Sequence, residues 1–76
     1  MDFRFTNHAQ YNMYTREYSI DEMRQTILKP DFEHQLSDGR IVSDKKIGEN
    51  VLRIIYIKRH NTYIIVSFYY LNRKNK

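Results

Sequence analysis

His8, Arg16, Arg53, Ser67 and Tyr69 are the side chains of this sequence best equipped to act on a phosphodiester. Histidine has an ordinary pKa of about 6.5, so His8 can take or give a proton near neutral pH. Arg16 and Arg53 can each donate paired hydrogen bonds to a phosphate, Tyr69 can donate one or stack on a base, and Ser67 can position a substrate oxygen. Together they suit metal-independent RNA cleavage: the ribose 2′-hydroxyl attacks the adjacent phosphate, a base removes its proton, and cationic donors stabilise the charged transition state. Each also has a structural use. His8 would serve as a cap or surface residue at a helix start, Arg16 as a cation complementing a helix C-terminus, Arg53 as the partner of an acid on a sheet face, and Ser67 and Tyr69 as strand packing.

The elements that must position these groups change period along the chain. Residues 8–16 read as a helix in which His8 and Asn12 lie about 40° apart around the axis and Arg16 about 80° from His8, so all three share one flank. Thr6 or Asn7 would cap it, after an extended lead-in over residues 2–5, and Ala9, Met13 and Tyr14 would face the core. Ser19 and Glu22 form a capping-box pattern at the start of a second helix, whose apolar stripe is Ile20, Met23 and Ile27 and which Lys29 and Pro30 terminate.

From residue 32 onward the pattern is that of strands. Residues 32–36 and 40–43 flank Asp38 and Gly39, a pair suited to a tight hairpin, and residues 44–50 read as a polar loop with Ile47 tucked inward. Residues 51–58 and 63–70 are dense in β-branched and aromatic side chains and form a long hairpin turning around residues 59–62. Alternation puts Ile64, Val66, Phe68 and Tyr70 on the core face with Leu52, Ile54 and Tyr56, and Arg53, Ser67 and Tyr69 on the opposite one. The expected architecture is α+β, with two N-terminal helices packed on a curved four-stranded antiparallel sheet and a fraying basic tail at residues 72–76.

Composition narrows the function classes. The chain has 76 residues, no cysteine and a formal charge of +4, which fits one small domain without disulfides or thiolate metal ligands. No apolar run reaches the roughly 20 residues that span a bilayer, and the start of the chain lacks a signal-peptide pattern, so a cytoplasmic protein without membrane partners is expected. The only glycines are Gly39 and Gly48, which leaves no glycine-rich phosphate loop. His34 and His60 belong to no metal-ligand spacing, so neither a cofactor nor a metal is expected. The modest basic excess and the seven tyrosines suit RNA through phosphate contact and stacking, or a protein partner through aromatic anchors, a second copy of the chain included.

One run of residues carries a family likeness. Phe5, Thr6, Asn7, His8 and Ala9, followed by Met13 and Arg16 and then by Tyr18 to Glu22 opening the second helix, resemble the start of the small DUF4258 proteins. The likeness continues through Gly39 and Arg40, residues 52–56 and residues 65–69, in order along nearly the whole chain. That family is similar to the BrnT and RelE-like ribonuclease toxins. The resemblance implies helices against a curved antiparallel sheet, active-site roles for His8 and Arg16, sheet-side roles for Arg53, Ser67 and Tyr69, and an acidic antitoxin partner. Asn12 departs from the pattern, since it stands where the family usually carries arginine and brings no positive charge. Lys45, Lys46, Arg73 and Lys74 are the cations available to compensate. A non-catalytic RNA- or protein-binding module of the same fold is the alternative expectation.

Overall fold

Thr6 begins the first helix by accepting the Ala9 N–H on its hydroxyl at 3.2 Å, and α1 runs Asn7–Thr15. Ser19 does the same for the second, its hydroxyl accepting the Glu22 N–H at 3.3 Å, and α2 runs Ile20–Leu28 with Lys29 as its C-cap. The other half of the expected capping box is absent. The Glu22 carboxylate instead accepts the Tyr70 hydroxyl at 2.8 Å, tying α2 to the last strand. These details come from a computed structural model that describes residues 2–15 and 18–72. None of its helices is long and apolar enough to cross a membrane.

The two helices lie on a five-stranded mixed sheet rather than a four-stranded antiparallel one. In order of sequence its strands are β1 (Asp2–Phe5), β2 (Phe32–Gln35), β3 (Ile41–Ile47), β4 (Asn50–Arg59) and β5 (Thr62–Asn72). In space the order is β1-β5-β4-β3-β2, antiparallel throughout except for β1, which runs parallel to β5. The expected lead-in is therefore a strand. Four residues carry too little alternation to announce themselves, and pairing with β5 is what makes them extended.

The expected polar loop over residues 44–50 is also strand for most of its length. Asp44, Lys45 and Lys46 pair with Arg53, Leu52 and Val51, and only Gly48 and Glu49 turn. Gly48 takes the positive φ of 62° that a two-residue hairpin demands at its first position. Polar composition suggested a loop because it cannot distinguish a connection from a strand whose outer face is charged. The Asp38–Gly39 turn forms as expected, with Gly39 at φ 96° and the Asp38 carboxylate accepting both the backbone N–H and the Nε of Arg40.

The core lies between the helices and one sheet face. Ala9, Met23, Ile27, Leu52, Ile54, Tyr56, Tyr63, Ile65 and Phe68 form it, with Phe3, Phe5, Met13, Ile41, Ile47 and Tyr70 packed around it. Each large member contributes about 1.5–3 kcal/mol through burial. Two helix positions differ from the periodic expectation. Tyr14 is 90% exposed and Ile20 46%, while Thr26 is fully buried, its hydroxyl returning to the Glu22 carbonyl at 2.7 Å. The buried face of α2 is thus rotated away from Ile20, centred on Met23 with Ile27 and Thr26 to either side.

The face assignment in β5 is half corrected. Ile55 pairs with Ser67 but Tyr56 pairs with Ile65, so Val66 is an extra residue in β5 and the alternation changes phase there. Tyr63 and Ile65 face the core before the bulge, and Phe68 and Tyr70 after it. Ile64 and Val66 are only partly buried.

At the β4–β5 turn, His60 adopts a left-handed φ of 54°, a conformation that costs a non-glycine residue about 1 kcal/mol. Replacing it with glycine (His60→Gly) is expected to stabilise the fold by about 0.5–1 kcal/mol, read as a higher urea midpoint at unchanged m-value. Tyr56 yields a pH dependence. Burial, the largest influence, pushes its pKa up; Ser43 opposes the shift, and Glu33, which accepts the Tyr56 hydroxyl at 3.3 Å, adds to it. A raised folded value means stability that is present below the ordinary tyrosine range and lost as pH rises through the folded pKa. Wild type should therefore lose stability more steeply than Tyr56→Phe in denaturation series carried above that range.

Candidate nucleic-acid interface

Five cross-strand rows cross the sheet face that the helices leave uncovered. Strand registers align Leu71 with Val51 and Lys46; Tyr69 with Arg53, Asp44 and Phe32; and Ser67 with Ile55, Val42 and His34. Toward the β4–β5 turn, Arg4 lines up with Ile64 and Ile57, and Asp2 with Thr62 and Arg59. The expected sharing of one face by Arg53, Ser67 and Tyr69 is what the registers show. The β5 bulge lies on the turn side of all three, so the phase change leaves them together.

Arg53 is the hinge of the central row. Its Nε and one terminal nitrogen each donate to a different Asp44 carboxylate oxygen at 2.9 Å, the bidentate geometry that arginine suits best. The side chains are 35% and 17% exposed, respectively, so the pair is shielded enough to be geometrically fixed without being fully desolvated. Asp44 is the main reason the Arg53 pKa is held above its ordinary value, and Tyr69 on the opposite strand adds to the shift. Asp44 neutralises much of the charge, yet a guanidinium has five N–H donors and the carboxylate uses two. The rest remain to be shared between Tyr69 and a ligand.

Beside this pair is a depression of about 390 Å³, lined chiefly by Phe32, Asp44, Lys46, Val51, Arg53 and Leu71. Lys46 is exposed at its rim, whereas Lys45 donates to the Lys29 carbonyl at 3.0 Å. The depression opens toward β2 and β3, so neither Ser67 nor His8 lines it. Of the four candidates among the described residues, only Arg53 lines this depression.

The helix side of the candidate site is held by Asn12, which is 2% exposed. Its Oδ1 accepts the Ser67 hydroxyl at 3.3 Å and the Phe68 N–H at 3.5 Å. Thr6 works next to it, its hydroxyl donating to the Val66 carbonyl at 3.1 Å while its backbone N–H donates to the Ile65 carbonyl at 3.0 Å. β1 ends at Phe5, so beyond that point these two side chains replace the missing strand and satisfy polar groups along the edge of β5. Asn12 is therefore a structural link between α1 and β5. His8 lies one turn earlier on the same flank and is exposed. Arg16 and residues 73–76 of the basic tail lie outside the described residues.

Asp44 is the residue that sequence reasoning missed, having been assigned to the loop. Its signal was the two-residue Gly48–Glu49 turn, which places Asp44 opposite Arg53 by counting outward from Ile47 and Asn50. The structural use foreseen for Arg53, a partner for an acid on a sheet face, is the arrangement present. His34 and His60 are both exposed, one on β2 and one in the β4–β5 turn. Among the described residues, no three His, Cys, Asp or Glu side chains group closely enough to hold a metal ion. Against protein-family models, curated proteins and solved structures, the chain has no match.

Asn12→Ala would leave the Phe68 N–H and the Ser67 hydroxyl without their acceptor at a buried edge, a loss of about 1–3 kcal/mol. Ser67→Ala removes only one donor and should cost less than Asn12→Ala. Chemical denaturation of the two variants and the double variant tests this: coupling is expected, and strictly additive effects would show that the two side chains act independently.

Proposed function

We propose that this chain binds single-stranded RNA on the uncovered sheet face, as a small domain of the ribonuclease-toxin type. The observation that carries the reading is the central row, in which a cationic centre at Arg53 lies between two aromatic side chains, Tyr69 and Phe32, with Lys46 in the adjoining row. Phe32 is 76% exposed and Tyr69 partly exposed, so both offer ring surface to a base. A phosphate at Arg53 and Lys46 with bases stacked to either side is the kind of contact that single strands make with sheet surfaces. Because Asp44 offsets Arg53, affinity is expected to be modest and salt-sensitive.

Cleavage is the second reading, favoured by the Asn12–Ser67 hydrogen bond, which brings the helix bearing His8 alongside the strand bearing Tyr69. In this reading His8 removes the 2′-hydroxyl proton, the oxygen attacks the adjacent phosphate, the bond to the 5′-oxygen breaks as that oxygen takes a proton from Tyr69 or solvent, and Arg53 with Arg16 stabilises the charged phosphorane. Such a protein would be held in check by an acidic antitoxin drawn to its cationic surface.

Fluorescence anisotropy with a labelled single-stranded RNA, followed by electrophoresis of the same samples, separates the two. Binding that weakens with salt and falls about tenfold in Lys46→Ala or Tyr69→Ala supports RNA recognition. Cleavage that is lost in His8→Ala supports the catalytic form. No detectable binding at low salt would refute both.

A further inference from the structure

β1 ends the sheet, and its backbone shows which way its free groups point. The Asp2 N–H donates to the carbonyl of Asn61, just before β5, at 2.9 Å, and the Thr6 N–H to the Ile65 carbonyl on β5 at 3.0 Å. Residues 2, 4 and 6 therefore face β5, and the N–H and C=O groups of Phe3 and the N–H of Phe5 point out from the open edge, where the Phe5 carbonyl accepts the exposed Gln10 side-chain amide at 3.1 Å. An unpaired edge of this kind is a template for another strand. On its helix side the edge is bordered by a groove of mixed lining, with Phe3, Arg4 and Phe5 common to its two stretches, Asp2 and Arg24 in one and Gln10 in the other. One stretch, about 360 Å³, runs past Phe3, Phe5, Ile20 and Met23, and the other, about 650 Å³, past Met13, Tyr14 and Tyr18. The opposite edge, β2, presents Glu33 and Gln35 on that side.

We propose that the β1 edge pairs with β1 of a second copy of this chain, antiparallel across a two-fold axis through Phe3. Antiparallel pairing requires outward-facing residues to oppose outward-facing ones, which leaves two central registers. With the axis at Phe3, Phe3 opposes the partner's Phe3 as a hydrogen-bonded pair, and Asp2 opposes the partner's Arg4 twice over, at the close non-hydrogen-bonded positions where side chains meet best. With the axis at Arg4, two arginines oppose each other at that close spacing. Charge thus selects the first register, and the sequence Asp2-Phe3-Arg4 is self-complementary in it. The interface is isologous and closed, so the two sheets form one of ten strands, paired over Asp2 to Arg4 of each copy. Phe3 and Phe5 pack against the core, and Arg4 borders both stretches of the groove. Each groove then meets its symmetry mate across the paired strands, covering Tyr14 and Tyr18.

Sedimentation equilibrium of the full chain over a wide concentration range tests the pairing. Wild type should approach twice the monomer mass. Arg4→Asp sets acid against acid at both close positions and should weaken dimerisation roughly tenfold or more. The exchanged variant, Asp2→Arg with Arg4→Asp, rebuilds both opposite-charge pairs in the Phe3 register only and should restore the dimer. Circular dichroism checks that each variant keeps the fold, which exposed positions permit. A wild type that stays monomeric up to millimolar concentration overturns the proposal, as does a folded Arg4→Asp variant that dimerises unchanged, or a folded exchanged variant that stays monomeric.

Discussion

The extra residue at Val66 governs how the two halves of this molecule meet. A strand without it would present one alternation from end to end, and either Ile65 or Phe68 would point away from the helices; both are fully buried. By shifting phase once, β5 packs Tyr63 and Ile65 beside β1 and then Phe68 and Tyr70 beneath α1 and α2. The same shift directs the Val66 carbonyl and the Phe68 N–H toward the Thr6 and Asn12 side chains just where β1 stops. A bulge in a strand next to the edge thus converts a sheet-to-strand boundary into a sheet-to-helix one without leaving backbone groups unmet.

What the sequence made legible follows from the range of the forces involved. Short-range signals were reliable: the Thr6 and Ser19 caps, the end of α2 near Pro30, the turn at Asp38 and Gly39, and the long final hairpin all depend on neighbours within a few residues. Those set by distant partners were not. β1 became a strand because β5 lies beside it, residues 44–47 because Arg53 and Leu52 stand opposite, and the bulge because two ladders must be served at once. Tyr14 and Ile20 turned outward although their spacing allowed burial, since nine-residue helices offer too few turns to fix their rotation by periodicity alone.

For the candidate site the same division holds. That Arg53, Ser67 and Tyr69 share a face is a consequence of parity and could be read directly from the alternation. That Asn12 is committed to the Ser67 hydroxyl and the Phe68 N–H depends on how α1 rests on the edge of β5, and nothing local to Asn12 reports it. The Asp44–Arg53 pair sits between these cases. It fixes the guanidinium rigidly on a face that no helix covers, and its cost is part of the charge that an anionic ligand would otherwise feel.

The parallel pairing of β1 with β5 has a bearing on how the chain reaches this state. Thr6 and Val66 are sixty residues apart in sequence and bonded in the fold, whereas β3, β4 and β5 are joined by two-residue turns. Closing the larger loop costs more chain entropy and repays it only after its docking surface exists. The three-strand meander is therefore the natural nucleus, with β1 and α1 arriving last onto an assembled β5. The helix that bears His8 and the strand that bears Tyr69 come together only in that late step, so a cleavage site that needs His8 is completed last, whereas the row of Tyr69, Arg53 and Phe32 needs only β2 to β5.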